Sequence, residues 1–322
     1  MAAHNHLSRR TFGALSIGAA VAATSFRVAS AQDASPMASP SADEAGLLEG
    51  LELTALNLTV TEFTFNMSNP GALAEGWYVL NVTNESEALG SANLALLPEG
   101  TSAGELSALK SQAFAGEGGE LPAWWSEATF AGGATVAAGE TVSVVVYLTP
   151  GQWSIFSSNP LSAQSPANFR ILTPEELEAN YGVAPEESAT PEAMPAGVTA
   201  PEGIEPSMTL SVTDSGFNPS GAPATGPQVI EVVNEGEQVH DVVILHSDET
   251  VDEATAGSIA QSFVRGEEID ATVEGGVGTL SPGSTAYLEL SGDAGTHLVF
   301  STMPDENGGI QLETVGVLVF EN

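Results

Sequence analysis

The feature that most limits how this chain can fold is that it states one pattern twice. LTVTEFTFN at residues 58–66 returns as LSVTDSGFN at 210–218, and GWYVLNVTNESE from Gly76 returns as GPQVIEVVNEGE from Gly226. Further on, AAGETVSVVVYLTPGQWSIFSSNP matches SPGSTAYLELSGDAGTHLVFSTMP at a constant offset of 144. That offset pairs Gly139 with Gly283, Gly151 with Gly295, Phe156 with Phe300 and Pro160 with Pro304. Three blocks in the same order identify a duplication. One architecture therefore has to serve both copies.

Each copy alternates short apolar runs with Gly, Pro and Asn turns, the mark of antiparallel strands. Alternation over 286–290 and 297–300 places apolar side chains from two sheets in a shared interior. Ser102-x-x-Glu105 and Thr250-x-x-Glu253 read as capping boxes, each opening a helix inside its own copy. Thr173-Pro174-Glu175-Glu176 opens a short helix that leaves the first copy. The expected fold is all-β: two tandem Greek-key β-sandwiches, each with a short helical insertion. The first spans 51–172 and the second 206–322. Residues 173–205 read as a short helix and a Pro/Glu-rich linker, and 32–50 as a disordered Ala/Ser/Pro/acid-rich leader.

Residues 1–31 read as an export address. Ser8-Arg9-Arg10-Thr11-Phe12 is a twin-arginine pattern, a weakly apolar run follows, and Ala29-Ser30-Ala31 offers small residues for cleavage before Gln32. The alternative is a chance arginine pair in a general secretory signal. A twin-arginine route implies a prokaryotic protein that folds before crossing the membrane, and a periplasmic or extracellular destination. Removing 31 of 322 residues leaves 291, with no second apolar run long enough to span a bilayer. It also leaves three basic residues against 42 acidic ones, a net of −39. Lys110 is the sole lysine. Such a surface repels nucleic acid and anionic lipid and suits solubility. Cysteine is absent, so the cores are packed without disulfides.

The strand VIEVVNEGEQVHDVVIL, the turn SPGSTAYLEL and the closing GTHLVFSTMP…VGVLVF together resemble the cupredoxin family, the plastocyanin- and azurin-like blue-copper fold. Asn234, Gly236 and His240 fit the family spacing N-x-G-x-x-x-H. The second copy resembles a cupredoxin over nearly its full length, and the first does so through the repeat. The resemblance implies two histidines, one cysteine thiolate and a weak axial methionine as copper ligands. His240 stands at the first ligand position, but Ser301 stands where the thiolate belongs. Gln311 falls near the second histidine, and Val317 near the methionine. In the first copy Gly90 aligns with His240 and Ser157 with Ser301. A serine hydroxyl neither ionises near neutral pH nor binds copper softly. Blue-copper electron transfer is not expected.

A remade site is the second possibility. Met303 is near enough in sequence to join His240 as a weak copper site, against His240 as a ring that only hydrogen-bonds the loop. His246 lies six residues along the same strand, roughly 20 Å away, and cannot share an ion with His240. His297 sits at a usual aromatic position, away from the ligand loop. Asp305-Glu306-Asn307-Gly308-Gly309 carries calcium-friendly oxygens without the D-x-[DN]-x-[DN]-G spacing, and reads as a solvated turn. Acids at 248–253 suit a helix N-terminus. Trp124-Trp125 either exposes a ring for a partner or sugar, or caps the open end of the sandwich. No nucleophile elbow, phosphate loop or HExxH is present. The expected function is a non-enzymatic binding or structural module without cofactor, acting on an extracellular protein or cell-envelope component. The alternatives are loose copper handling through His240 and Met303, or cell-wall or carbohydrate binding through Trp124 and Trp125.

Overall fold

A computed structural model of the chain describes residues 46–68, 71–159, 164–182, 198–305, 307–310, 312 and 315–320. The twin-arginine pattern at Arg9 and Arg10, residues 32–45, residues 183–197 and Gln311 lie outside the described residues. The first half contains β1 (Thr54–Val60), β2 (Phe65–Met67), β3 (Gly76–Asn84), β4 (Gly90–Leu96) and α1 (Ala103–Phe114). It continues with β5 (Thr129–Val136), β6 (Thr141–Leu148), β7 (Gly151–Phe156) and β8 (Ala167–Ile171), followed by α2 (Pro174–Tyr181). The second half contains β9 (Met208–Thr213), β10 (Gly216–Gly221), β11 (Gly226–Asn234), β12 (His240–Ser247) and α3 (Glu253–Arg265). It closes with β13 (Thr272–Leu280), β14 (Thr285–Gly292), β15 (Gly295–Phe300) and β16 (Val315–Phe320).

The duplication read in the sequence is complete at the level of strands. One sheet runs β10-β9-β11-β14-β6-β3-β1-β2 and the other β16-β15-β12-β13-β5-β4-β7-β8. Each order is a palindrome in which every strand faces its own copy across the centre. The chain changes sheet between β3 and β4, β5 and β6, and β6 and β7, which makes each half a two-sheet Greek key. The expected all-β, tandem cupredoxin-like sandwich is the observed fold. What the linear pattern did not convey is that the two sandwiches are joined edge to edge, so that both sheets pass through both halves.

Two antiparallel seams make the join. Val144 lies opposite Leu288 where β6 meets β14, and Ala134 lies opposite Val277 where β5 meets β13. Both pairs are equivalent positions of the duplication, so a local pseudo-twofold axis passes through them. All four side chains are buried to 0 % exposure, and one core runs without interruption from Leu80 and Val144 to Ile230 and Leu288. Burying edge strands in this way removes the unpaired N–H and C=O rows that would otherwise invite association. Beside the seam, within each half, β4 approaches β5 and β12 approaches β13 closely. A Cβ at Gly133 would lie 2.0 Å from the Ala92 carbonyl oxygen, and one at Gly276 would lie 2.1 Å from that of Val242. No side chain larger than hydrogen fits at either glycine.

Local signals place the remaining elements. Ser102 and Glu105 form the expected capping box of α1, and Thr173 and Glu176 that of α2. The box expected at Thr250 and Glu253 does not form. Asp252 caps α3 instead, its Oδ1 accepting from Thr255 N at 2.9 Å. Val251 explains the shift: it is buried with Ala256 beside α3, and a residue just before the cap that packs on the first turn fixes where the helix begins. The last residues of the expected leader, 46–50, are ordered. Leu48 is 1 % exposed in a cluster with Val79, Val145, Val229 and Tyr287 over the β6–β14 seam, and the Glu289 carboxylate accepts from Leu47 N and Leu48 N. From the linker side, Ile204 joins that cluster and Thr199 O accepts from Trp77 Nε1.

Candidate functional site

The loop that follows β15 carries the residues in question, Ser301, Thr302 and Met303. It meets the start of β12, where His240 and Asp241 lie side by side. Antiparallel pairing of β12 with β15 brings the two together, ending with Val243 opposite Phe300. All of Asp241, Ser301, Thr302 and Met303 are buried.

Ser301 acts as a structural clasp. Its Oγ donates to Asp241 Oδ1 at 3.0 Å and accepts from the backbone N–H groups of Asp241 and Met303, each at 3.3 Å. Asp241 also accepts from Thr302 N at 2.5 Å and from Thr302 Oγ1 at 2.6 Å. A carboxylate holding this many donors keeps the loop closed in a dry environment, where each bond is strong and each orphan costly. The first half builds the same clasp without charge. Ser91 stands in the place of Asp241, sharing a hydrogen bond with Ser157 Oγ at 3.0 Å and accepting from Ser158 N at 2.8 Å.

The added charge in the second half has a matching cation, and it comes from the first half. Lys110 of α1 is 1 % exposed, with Nζ 3.9 Å from Asp241 Oδ2 and 3.0 Å from Met303 Sδ. Burial pushes its ammonium down to about 8, and the neighbouring Asp241 carboxylate works against that fall. Its place beside that carboxylate favours the ammonium form. Thr279 Oγ1 lies 3.4 Å from Met303 Sδ, and its N–H and hydroxyl both reach Asn93 Oδ1, at 2.8 and 3.0 Å. The network thus runs from Lys110 to the second half and back to Asn93 of the first.

This centre was missed in the sequence, although a signal was there. Ala103, Leu106, Lys110 and Ala113 are the buried residues of α1, spaced as one helix face, and the only lysine of the chain falls on it. A lysine on an apolar stripe demands a buried partner. Nothing in the linear order named Asp241 as that partner.

The other sequence candidates fall as follows. His240 Nε2 lies 3.0 Å from Asp214 Oδ1 in the turn after β9, while Met303 Sδ faces Lys110 and Thr279. Burial raises Asp214, but the N–H of Glu237, the His240 ring and the N–H of Gln238 outweigh it and hold the carboxyl below its ordinary range. The donor atoms of His240 and Met303 are thus turned to different partners. Val317 lies in β16 and packs beside α3. Trp124 and Trp125 occupy a 3-10 turn, Ala123–Glu127. Trp125 is 7 % exposed with its ring 5.3 Å from Phe130, and Trp124 is half-buried beside it. Together with Leu106, Phe156, Val239 and Met303 they roof the network. Asp305 closes its own turn by accepting from Asn307 N and Gly309 N, each at 2.9 Å.

One pairing was also unforeseen. His246 and His297 are direct cross-strand partners, with ring centroids 5.0 Å apart. His297 stacks on Phe320 at 3.8 Å, and its Nε2 lies 2.8 Å from Glu274 Oε2. Register through the first half shows Leu96 and Trp153 at the two histidine positions. Among the described residues, no group of three or more His, Cys, Asp or Glu side chains is placed to hold a metal ion.

The residues at the resembled copper position do not fit copper. The position of the soft thiolate holds a hydroxyl engaged in three hydrogen bonds, and the nearby thioether lies against an ammonium. A second cation there would meet direct repulsion from Lys110.

Solved structures similar to this chain include cupredoxins and multicopper oxidases. A reduced auracyanin from Roseiflexus castenholzii is 17 % identical, covering 37 % of this chain and 100 % of its own, with a TM-score of 0.25. A blue copper oxidase from Nitrosomonas europaea is 12 % identical, covering 84 % of this chain and 86 % of its own, with a TM-score of 0.23. Lac15 from a marine microbial metagenome is 11 % identical over 77 % of this chain and 62 % of its own, with a TM-score of 0.23. No protein-family model and no curated protein matches the chain. The description as two cupredoxin-like halves stands on the strand order and pairing of this chain itself.

Proposed function

We propose that this is an exported, non-enzymatic cupredoxin-like protein that works as a binding or structural module outside the cytoplasmic membrane. Its ligand loop has become a strut between the two halves. The observation that carries this reading is the Lys110 ammonium, buried 3.0 Å from Met303 Sδ and paired with Asp241. A metal loop has to present free soft donors, whereas this one has spent its atoms on internal hydrogen bonds and an ion pair. Export rests on the twin-arginine pattern at Arg9 and Arg10, and no helix among the described residues is long and apolar enough to cross a membrane. The acidic surface disfavours nucleic acid and anionic lipid as partners, leaving an extracellular protein or envelope component.

Metal analysis of protein recovered from its native export route tests the reading. A folded twin-arginine substrate acquires its metal before translocation, so the expected copper content is far below one ion per chain. Stoichiometric copper that disappears in His240→Ala would overturn the proposal and restore the copper-handling alternative.

A further inference from the structure

We propose that a groove between the edge strands β2 and β8 is a binding site for a small, neutral, amphipathic molecule. The groove has a volume of about 460 Å³ and is walled by Phe65, Met67, Leu73, Ile155 and Phe169, with Tyr181 of α2 at its rim. Its size falls in the range of small-molecule sites, roughly 300–1,000 Å³. Each end is pinned by a backbone bridge between the two sheets, Thr64 with Ser165 at one end and Ala74 with Leu172 at the other. The pinning bonds are Ser165 N to Phe63 O at 3.0 Å and Leu172 N to Leu73 O at 2.8 Å. The opening is thus framed by the fold.

The duplication supplies an internal control. In the second half the matching strands β10 and β16 close on one another. Phe217, the counterpart of Phe65, lies against Gly316, where an added Cβ would come within 3.1 Å of the Phe217 Cβ. By register the first half has Ala167 in place of Gly316, and Ala167 lines the groove. Its extra carbon forbids the close approach that shuts the second half. β2 is also three residues long against six in β10, so it does not reach across. After the first half, α2 brings Tyr181 to the rim with 59 % exposure.

The chemistry of the walls selects the occupant. The rings of Phe65, Phe169 and Tyr181 and the chains of Met67 and Leu73 share the lining with polar Asn168 and Arg170, and Arg170, the one cation of the lining among the described residues, is held by Glu176 at 2.5 Å. That pair leaves no free charge for an acidic ligand, and the −36 formal charge of the chain repels one. The groove belongs to the outer strands and shares no residue with the Lys110 network, so its test is independent of the metal reading.

The test is a fluorescence titration of the full chain with the neutral probe N-phenyl-1-naphthylamine. One saturable class of site is expected. Affinity should fall about tenfold when Met67→Trp fills the groove and several-fold in Tyr181→Ala, and stay unchanged in Val319→Ala on the matching closed strand. Should Met67→Trp fail to fold, the exposed Tyr181→Ala decides. Absence of saturable binding, or equal affinity in wild type and Tyr181→Ala, overturns the proposal. Tighter binding of the anionic 1-anilinonaphthalene-8-sulfonate at the same site overturns the neutral-ligand assignment. Probe exclusion that tracks self-association in sedimentation assigns the groove to a second copy instead.

Discussion

Ser301, Asp241 and Lys110 form one buried network. The serine hydroxyl ties strand to loop, the carboxylate gathers the loop's donors, and the lysine brings the other half of the molecule to the carboxylate. Asp241→Ala leaves an ammonium buried without its counter-charge, and the expected loss is about 3–5 kcal/mol in chemical denaturation. Lys110 also sets a pH dependence. Its folded value of about 8 lies below the ordinary 10.5, so the unfolded chain binds more protons between those values. Stability therefore rises through this group as pH climbs from about 8 toward 10.5. The buried Tyr78 and the half-buried Tyr147, both raised to about 12, act in the opposite direction above 10, so the clean window is about pH 8 to 9.5. Denaturation of wild type and Lys110→Met across that window should show wild type gaining relative to the variant. Parallel profiles would mean that Lys110 does not titrate there.

At the scale of elements, each half turns on an asparagine at the end of its third strand. Asn84 Nδ2 donates to Ala88 O and Val136 O, at 2.8 and 3.1 Å, and Asn234 Nδ2 donates to Gln238 O and Leu280 O at 2.8 and 2.9 Å. Both residues are 0 % exposed. Removing either amide orphans buried carbonyls, so Asn84→Ala and Asn234→Ala should each cost on the order of 1–3 kcal/mol, seen as a lower denaturant midpoint at unchanged slope. The N-terminus of α3 separates two readings of the same six residues. Asp252→Ala should lower the melting temperature and Thr250→Ala should leave it unmoved, because only Asp252 accepts from the helix backbone. The His246–His297 pair belongs to this scale too. Period-two alternation marks both as inward positions, but only the register of β12 against β15 makes them neighbours.

For the whole molecule, continuous sheets and a continuous core mean that the halves unfold together. Calorimetry of the intact chain should give one transition, with calorimetric and van't Hoff enthalpies in agreement. Two resolved transitions would show that the seams carry little energy. A chain cut to residues 206–322 exposes β13 and β14 as bare edges. Because the seam already pairs equivalent residues, the isolated half should dimerise through those edges, which sedimentation would detect.

The sequence by itself determined the duplication, the all-β class, the sandwich halves, two of the three helix caps and the absence of cysteine. Each of these is local or periodic, and such patterns survive in linear order. Tertiary structure alone decided that the halves share their sheets, that α3 starts at Asp252, that His246 meets His297 and that Lys110 pairs with Asp241. The last contact joins residues 131 positions apart through two folded sandwiches and a seam. Such a contact depends on register and on edge-to-edge packing, for which neither residue carries a mark of its own.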